Sequence, residues 1–203
     1  MRSVVGLALV LTAATHRPAR GQTCAEPHYR WSEKIDTSLA HEARTTVQVS
    51  DILGWAPPRI TAKDVCAPRA GRERNVYTVT AWVRRVKLHE LDGDAHLEIT
   101  EEEHAPVAAS CIIAEIPAPT YGAIFGQARD QFARLVDTTR LTTRGDLSTP
   151  VRVSVTAAAF FDGYHQKQTA AGARASGHGR CNSSIQALWE LHPVYAVSAP
   201  PAP

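Results

Sequence analysis

The sequence predicts an all-β fold with one packed helix, closed into a barrel of five to six strands. Three observations carry this. Residues 76–90, "VYTVTAWVRRVKLHE", alternate with Val76, Thr78, Thr80 and Trp82 on one face and Tyr77, Val79, Ala81 and Val83 on the other. The stretch "AHLEIT" then sets Ala95, Leu97 and Ile99 against His96, Glu98 and Thr100. By contrast, Tyr121, Ile124, Phe125, Ala128, Phe132, Leu135 and Val136 recur at three- and four-residue steps, the apolar stripe of a helix.

The elements follow in order. Residues 43–55, "ARTTVQVSDILGW", hold a first strand, broken by Pro57-Pro58 and a loop through "APRAGRER". The long strand comes next. Asp92-Gly93 is a tight-turn dipeptide that returns the chain into "AHLEIT". "SCIIAEIP" is a further strand, ended by Pro117. The helix starts with Thr120 as N-cap and ends near Thr138. "VRVSVTAAAFF" is a strand, 162–184 a long loop of small residues, and "ALWELHPVYAV" the last strand. The tail, 199–203, is expected to be disordered. A helix between the third and fourth strands of a small barrel is the pattern of the oligonucleotide/oligosaccharide-binding (OB) fold. If 43–53 is the barrel's first strand, "SCIIAEIP" is one strand too many, so the numbering stays open.

Met1-Arg2 followed by an apolar run over 4–14 predicts a signal peptide spanning 1–21, with Ala19-Arg20-Gly21 at its end. The expected organisation is then an N-terminal extension over 22–70 and a barrel domain over 71–198, secreted or periplasmic. A net charge of +2 gives no basic excess of the kind nucleic-acid binding needs. Basic residues interleaved with aromatics are confined to Tyr77, Trp82, Arg84, Arg85 and Lys87, with Tyr77 and Trp82 as candidates for a ligand-binding strand face. The four cysteines, at 24, 66, 111 and 181, include no Cys-x-x-Cys pair, which argues against a zinc ribbon and for disulfides. Cys66–Cys181 is the expected bridge, with Cys111 a buried thiol in its strand.

The chemistry-bearing residues stand at strand ends. They are Glu90, Asp92, Asp94, His96 and Glu98 around the first turn, Glu115 in "AEIP", Asp162 and His165 in "FFDGYH", and Glu190 and His192 in "ELHPV". Strand ends of a barrel converge on a rim, and carboxylates with imidazoles suit a divalent metal or general acid–base work. The leading reading is an OB-like domain whose Asp/Glu/His-rich rim binds a ligand or a divalent metal, Ca²⁺ or Mg²⁺. In the alternative, a metal-dependent phosphodiesterase or nuclease, Asp94, Glu115 and Asp162 are the metal ligands and His96 or His165 the general base; in a third, a purely structural or protein-binding module, all of these groups serve turns and surface. Asp92 serves the turn, and Glu190 and His192 support the site. Glu90, His96 and Glu98 also fit the solvated face of a half-buried strand.

Taken together, "DGDAHLEI", "IIAEIP", "FFDGYH" and "WELHPVYAV" resemble a set of bacterial proteins of unknown function that carry the same motifs over the span 76–197. That resemblance implies that Asp94, His96, Glu115, Asp162, His165, Glu190 and His192 form one constellation; it implies no activity. A looser resemblance is to the staphylococcal nuclease family, also built on an OB barrel, carried by "DGDAHLEI", "AEIPAPTYG" and "ARDQF" in the same order. It implies that Asp94 and Glu115 stand where calcium ligands do, and a metal-dependent phosphodiesterase or nuclease. The strand "CIIAEIP" lacks that family's phosphate-gripping arginine, and no acid follows Pro117 as general base.

Overall fold

A computed structural model describes residues 24–88 and 90–202. The expected signal peptide and His89 lie outside the described residues. The chain runs through α1 (Trp31–Lys34), β1 (Arg44–Val47), α2 (Val49–Leu53), β2 (Val76–Lys87), β3 (Ala95–Thr100) and β4 (Ile112–Ile116). It continues with α3 (Ala123–Leu135), β5 (Asp146–Phe161), β6 (Gln166–Thr169), β7 (Gly172–Ala175) and β8 (Trp189–Ser198).

Five strands close a barrel in the order β2-β3-β4-β8-β5, with β5 pairing back onto β2. All neighbours are antiparallel except β4 and β8, which are parallel. With α3 between the third and fourth barrel strands, this is an OB-like barrel. The open question of strand numbering now has an answer. β1 pairs in parallel with the start of β2 and stays outside the ring, so β2 is the barrel's first strand. Residues 43–55 make only a four-residue strand because Val49 and Ile52 bury at helical spacing in α2. The Gln48 N–H donates to Asp51 Oδ2 at 2.8 Å and fixes that helix start.

Alternation explains the interior. Val79, Ala81, Val83, Leu97, Ile99, Ile112, Ala114, Val153, Val155 and Leu191 all bury into one core. β2 can bend between its partners because its register shifts between Val83 and Arg85. Tyr77 belongs to this core as well: it is 3% exposed and packs on Trp55 with ring centroids 4.8 Å apart. It therefore presents no face to a ligand. Trp82 is only half-buried, yet it is not among the residues lining the main cleft.

Helix α3 is shorter than its apolar stripe. Pro119–Tyr121 form a 3-10 turn, and the helix starts after Gly122 rather than from Thr120. Tyr121 stays 39% exposed and meets Trp31 edge-on at 4.9 Å. Phe125, Ala128 and Phe132 are the residues α3 buries. The stretch 162–184 also contains a hairpin, β6–β7.

The cysteines pair as Cys24–Cys66 and Cys111–Cys181. This corrects the expected Cys66–Cys181 bridge and the free Cys111. The reason is topological: β4 lies beside β8, so the chain before β8 passes over the start of β4 and brings Cys181 to Cys111. Disulfides fit an oxidising compartment. Among the described residues no helix is long and apolar enough to cross a membrane.

Residues 24–74 pack on the barrel. Arg30 and Glu73, both fully buried, form a bidentate pair at 2.7 and 3.0 Å. Arg69 donates to the carbonyls of Ala159 and His192 at 2.5 and 2.9 Å. These contacts carry α1 to the barrel surface and deliver Lys34 into the cleft described next.

Candidate functional site

The site grows from the outward-facing positions of three adjacent strands. On β3, Leu97 and Ile99 point into the barrel, so His96 and Glu98 point away from it. On β4 the outward residues are Ile113 and Glu115, and on β8 they are Glu190 and His192. His96 sits directly opposite Glu115, and Ile113 and Ala114 pair with Glu190 and Leu191. One step on, Glu115 reaches His192. The row His96–Glu115–His192 therefore crosses three strands, with Asp94 at the entrance to β3. Cross-strand neighbours on one face lie about 4.5–5.5 Å apart at Cβ, close enough for such side chains to bond.

They do bond, in a chain that alternates imidazole and carboxylate. His96 Nδ1 donates to Glu115 Oε1 at 2.8 Å. Glu115 Oε2 lies 3.0 Å from His192 Nδ1, and Glu190 Oε2 lies 3.3 Å from the same nitrogen. Glu190 Oε1 accepts from His178 Nε2 at 2.6 Å. His192 is fully buried, and the others are at most 7% exposed. The expectation that His96 and Glu98 face solvent is thus overturned, because the loop 176–182 covers this face of the sheet. Gly179 backs onto it so closely that a Cβ there would stand 2.7 Å from Glu98 Oε1 and 3.3 Å from His96 Nε2.

Charge follows from this geometry. Burial opposes ionisation of Glu115, yet His192, His96 and Lys34 outweigh it and hold its carboxyl well below the usual range. Burial and the Glu115 charge also oppose ionisation of Glu190, but His178 and His192 bring it down to about 2. Burial would lower the His192 imidazole; Glu115, Asp94 and Glu190 instead raise it well above its ordinary value. His178 is raised in the same way, chiefly through Glu190 against its burial.

Asp94 differs from the other carboxylates. It is fully buried, and neither of its oxygens has a hydrogen-bond partner. His192 Nε2 is also without one, although it lies 3.2 Å from Asp94 Oδ2. The approach is close but wrongly angled for a hydrogen bond. Arg129, near Asp94, spends its donors on the carbonyls of Gly93, Ile116 and Pro117. One ligand atom from each of Asp94, Glu115 and His192 lies within 4.8 Å of the others, so this buried group could hold a metal ion.

Above it opens a cleft of about 560 Å³, lined by Lys34, His96, Glu115, Asp162, His165 and His178 among others. Asp162 stands outside the group of three. Its Oδ1 accepts from the Tyr164 N–H at 2.9 Å, capping a turn, and its Oδ2 faces Lys34 Nζ at 3.5 Å. His165 lines the cleft with Nδ1 3.2 Å from the Ser176 carbonyl. Asp92 keeps its turn role, accepting from the Asp94 N–H at 3.2 Å, while Gly93 takes the positive φ of 87° the turn needs. Burial, with the neighbouring Asp94 charge, raises the Asp92 carboxyl above its ordinary value.

Two contributors had no signal in the sequence. Lys34 lies in a polar segment without periodicity, and His178 in a loop of small residues. The glycines at 177 and 179 around His178, both at positive φ, are the one trace of a tightly threaded loop. Arg84 and Arg85 offer no nucleic-acid platform. Together with Arg180 they turn onto the buried Glu98, at 3.5, 2.9 and 2.8 Å.

That network makes the fold acid-sensitive. Burial raises the Glu98 carboxyl, but the Arg180 N–H, the Arg180 guanidinium and Arg85 outweigh it and leave it below its usual range. A carboxyl lowered in the folded state adds stability in full above its unfolded pKa of about 4.3. The contribution is lost as pH falls through the folded value. Melting temperature should therefore drop below about pH 4.3, and the drop should be shallower in Glu98→Gln. A parallel fall in both proteins would exclude Glu98 as a cause.

No family model, curated protein or solved structure matches this chain.

Proposed function

We propose that this protein is an exported OB-like domain, secreted or periplasmic, that binds a divalent metal through Asp94, Glu115 and His192 beneath its cleft. The unpartnered Asp94 carboxylate carries the reading. Burying a carboxylate without hydrogen bonds costs several kcal/mol, and the His192 imidazole 3.2 Å away is wrongly angled to donate one to Asp94. Two ligand atoms of one tetrahedral ion, bonded at about 2.0–2.2 Å, stand about 3.3–3.6 Å apart. His192 Nε2 and Asp94 Oδ2 stand 3.2 Å apart. The Nδ1 contact of His192 to Glu190 resembles the carboxylate–imidazole support that orients metal-bound histidines. An imidazole in the set favours Zn²⁺, a borderline ion, over the Ca²⁺, Mg²⁺ or Mn²⁺ that carboxylates alone suggest.

The test is thermal unfolding with each ion. A ligand at a hundred times its Kd adds about 2.7 kcal/mol. For a domain of this size that is a rise of roughly 5–10 °C. Asp94→Asn should fold and lose the response. No shift with any of the four ions at millimolar concentration would overturn the reading.

A second reading, metal-dependent phosphodiester hydrolysis, draws support from His96. Glu115 holds its Nδ1, and its Nε2 is buried without a partner beside the cleft. That is the arrangement of an oriented general base. Release of 4-nitrophenol from bis(4-nitrophenyl) phosphate with Mn²⁺, absent in His96→Ala, is its expected result. A rate equal to Mn²⁺ without protein would discard it.

A further inference from the structure

Three cations of the N-terminal segment gather round one ring. Arg30, Lys34 and Arg69 place their charges 4.6, 5.4 and 5.8 Å from the centroid of Phe160. Two of them are held by several partners each. Arg30 is held by the Glu73 carboxylate and the carbonyls of Ala67 and Phe161. Arg69 is held by the carbonyls of Glu33, Glu73, Ala159 and His192.

Lys34 is different. It is 9% exposed, and among the described residues the single hydrogen bond of its ammonium is the 3.5 Å contact to Asp162 Oδ2. An ammonium has three donors, and a good charge-assisted bond is about 2.7–2.9 Å long. A lysine is almost never buried unless it is paired, since its desolvation is costly. Asp162 cannot swing closer without giving up the Tyr164 N–H on its other oxygen. The ammonium lines the cleft, so its remaining donors have that space to address. The cleft, at about 560 Å³, is within the range of small-molecule sites. Of its other deep groups, Glu115, Glu190 and Asp162 are carboxylates that would attract cations, and the imidazoles of His96 and His178 are already bonded to Glu115 and Glu190. Lys34 is the group that would select the opposite charge.

We infer that Lys34 anchors an oxyanion subsite in the cleft, taking a carboxylate or phosphate group of a small ligand. The inference rests on the cation reading, because the metal charge offsets the carboxylates that would otherwise repel an anion. Phe160 makes the subsite rigid. It carries Lys34 on one side, and its ring centroid lies 5.6 Å from that of His192.

The experiment is a titration of the full chain with inorganic phosphate and, separately, with acetate. It is done at constant ionic strength with millimolar Mn²⁺ present, following the melting temperature. Phosphate or acetate should add several degrees beyond the Mn²⁺ shift, and the larger response identifies the group. Lys34→Gln should keep the Mn²⁺ shift and lose the anion shift. An Mn²⁺ shift in the wild type with no response to either anion overturns the subsite and leaves the cation reading standing. An anion response that Lys34→Gln retains also overturns it. Absence of both shifts removes both readings. If Lys34→Gln does not fold, the ¹⁵N resonance of the Lys34 ammonium in the wild type decides. It should move on adding the anion, and a resonance that stays put overturns the proposal.

Discussion

Replacing Glu73 with alanine should cost about 3–5 kcal/mol of stability, the range for removing one partner of a buried ion pair. Arg30 and Glu73 are both fully buried. Glu73 does more than neutralise Arg30: its Oε1 also accepts from the Phe161 N–H at 2.9 Å, and its Oε2 from the Ala70 N–H at 3.1 Å. The truncation therefore strands a guanidinium and two amides. Urea unfolding would read the loss as a lower midpoint. The double replacement Arg30→Met with Glu73→Leu removes both charges, and exchange of a whole buried pair for apolar groups is often neutral. It should recover much of the loss. A Glu73→Ala protein within about 1 kcal/mol of wild type would show that water reaches the guanidinium and that the pair is not a true buried one. The consequence extends to the cleft, because this pair ties α1, and with it Lys34, to the barrel.

The barrel was legible because its signals are local. Alternation in 76–83 and 95–100 assigns inside and outside correctly, and Asp92-Gly93 marks its turn. The helix was legible from its stripe, although Pro119 shifted its start. The site was half legible. Asp94, His96, Glu115, Glu190 and His192 do meet, because residues of one parity on neighbouring strands share a face. What alternation could not tell is whether that face is wet. His96 and Glu98 read as solvated polar positions, and only the loop through His178 and Arg180, more than 75 residues later, buries them. Tyr77 shows the same limit from the other side. Its parity was known, but its burial depends on Trp55, which follows α2 in a stretch that reads as strand from the sequence. The role of Lys34 depends wholly on tertiary contacts, so nothing local could announce it.

Serine at both Cys111 and Cys181 should lower stability by about 4 kcal/mol, the chain-entropy value for a loop of this length. The two cysteines are 70 residues apart in sequence, and both are buried. The bridge pins the start of β4 to the loop that carries His178, Gly179 and Arg180. Arg84 also donates to Cys111 Sγ at 3.0 Å, so this arginine loses a contact as well. Loosening the loop frees two supports of the site: Arg180 on Glu98 and His178 on Glu190. The proposed metal ligands Asp94, Glu115 and His192 belong to the strand framework rather than to the loop. The double variant should therefore still respond to metal, at a higher metal concentration, because Glu190, which contacts His192, loses its bond to His178. Cys24–Cys66 closes a shorter span of 42 residues between exposed cysteines. It should open first under mild reductant, with mass spectrometry of trapped thiols showing Cys24 and Cys66 labelled before Cys111 and Cys181. The reverse order of labelling would mean that the loop over His96 already opens in the native state, and that the site beneath it is reached by unlatching that loop.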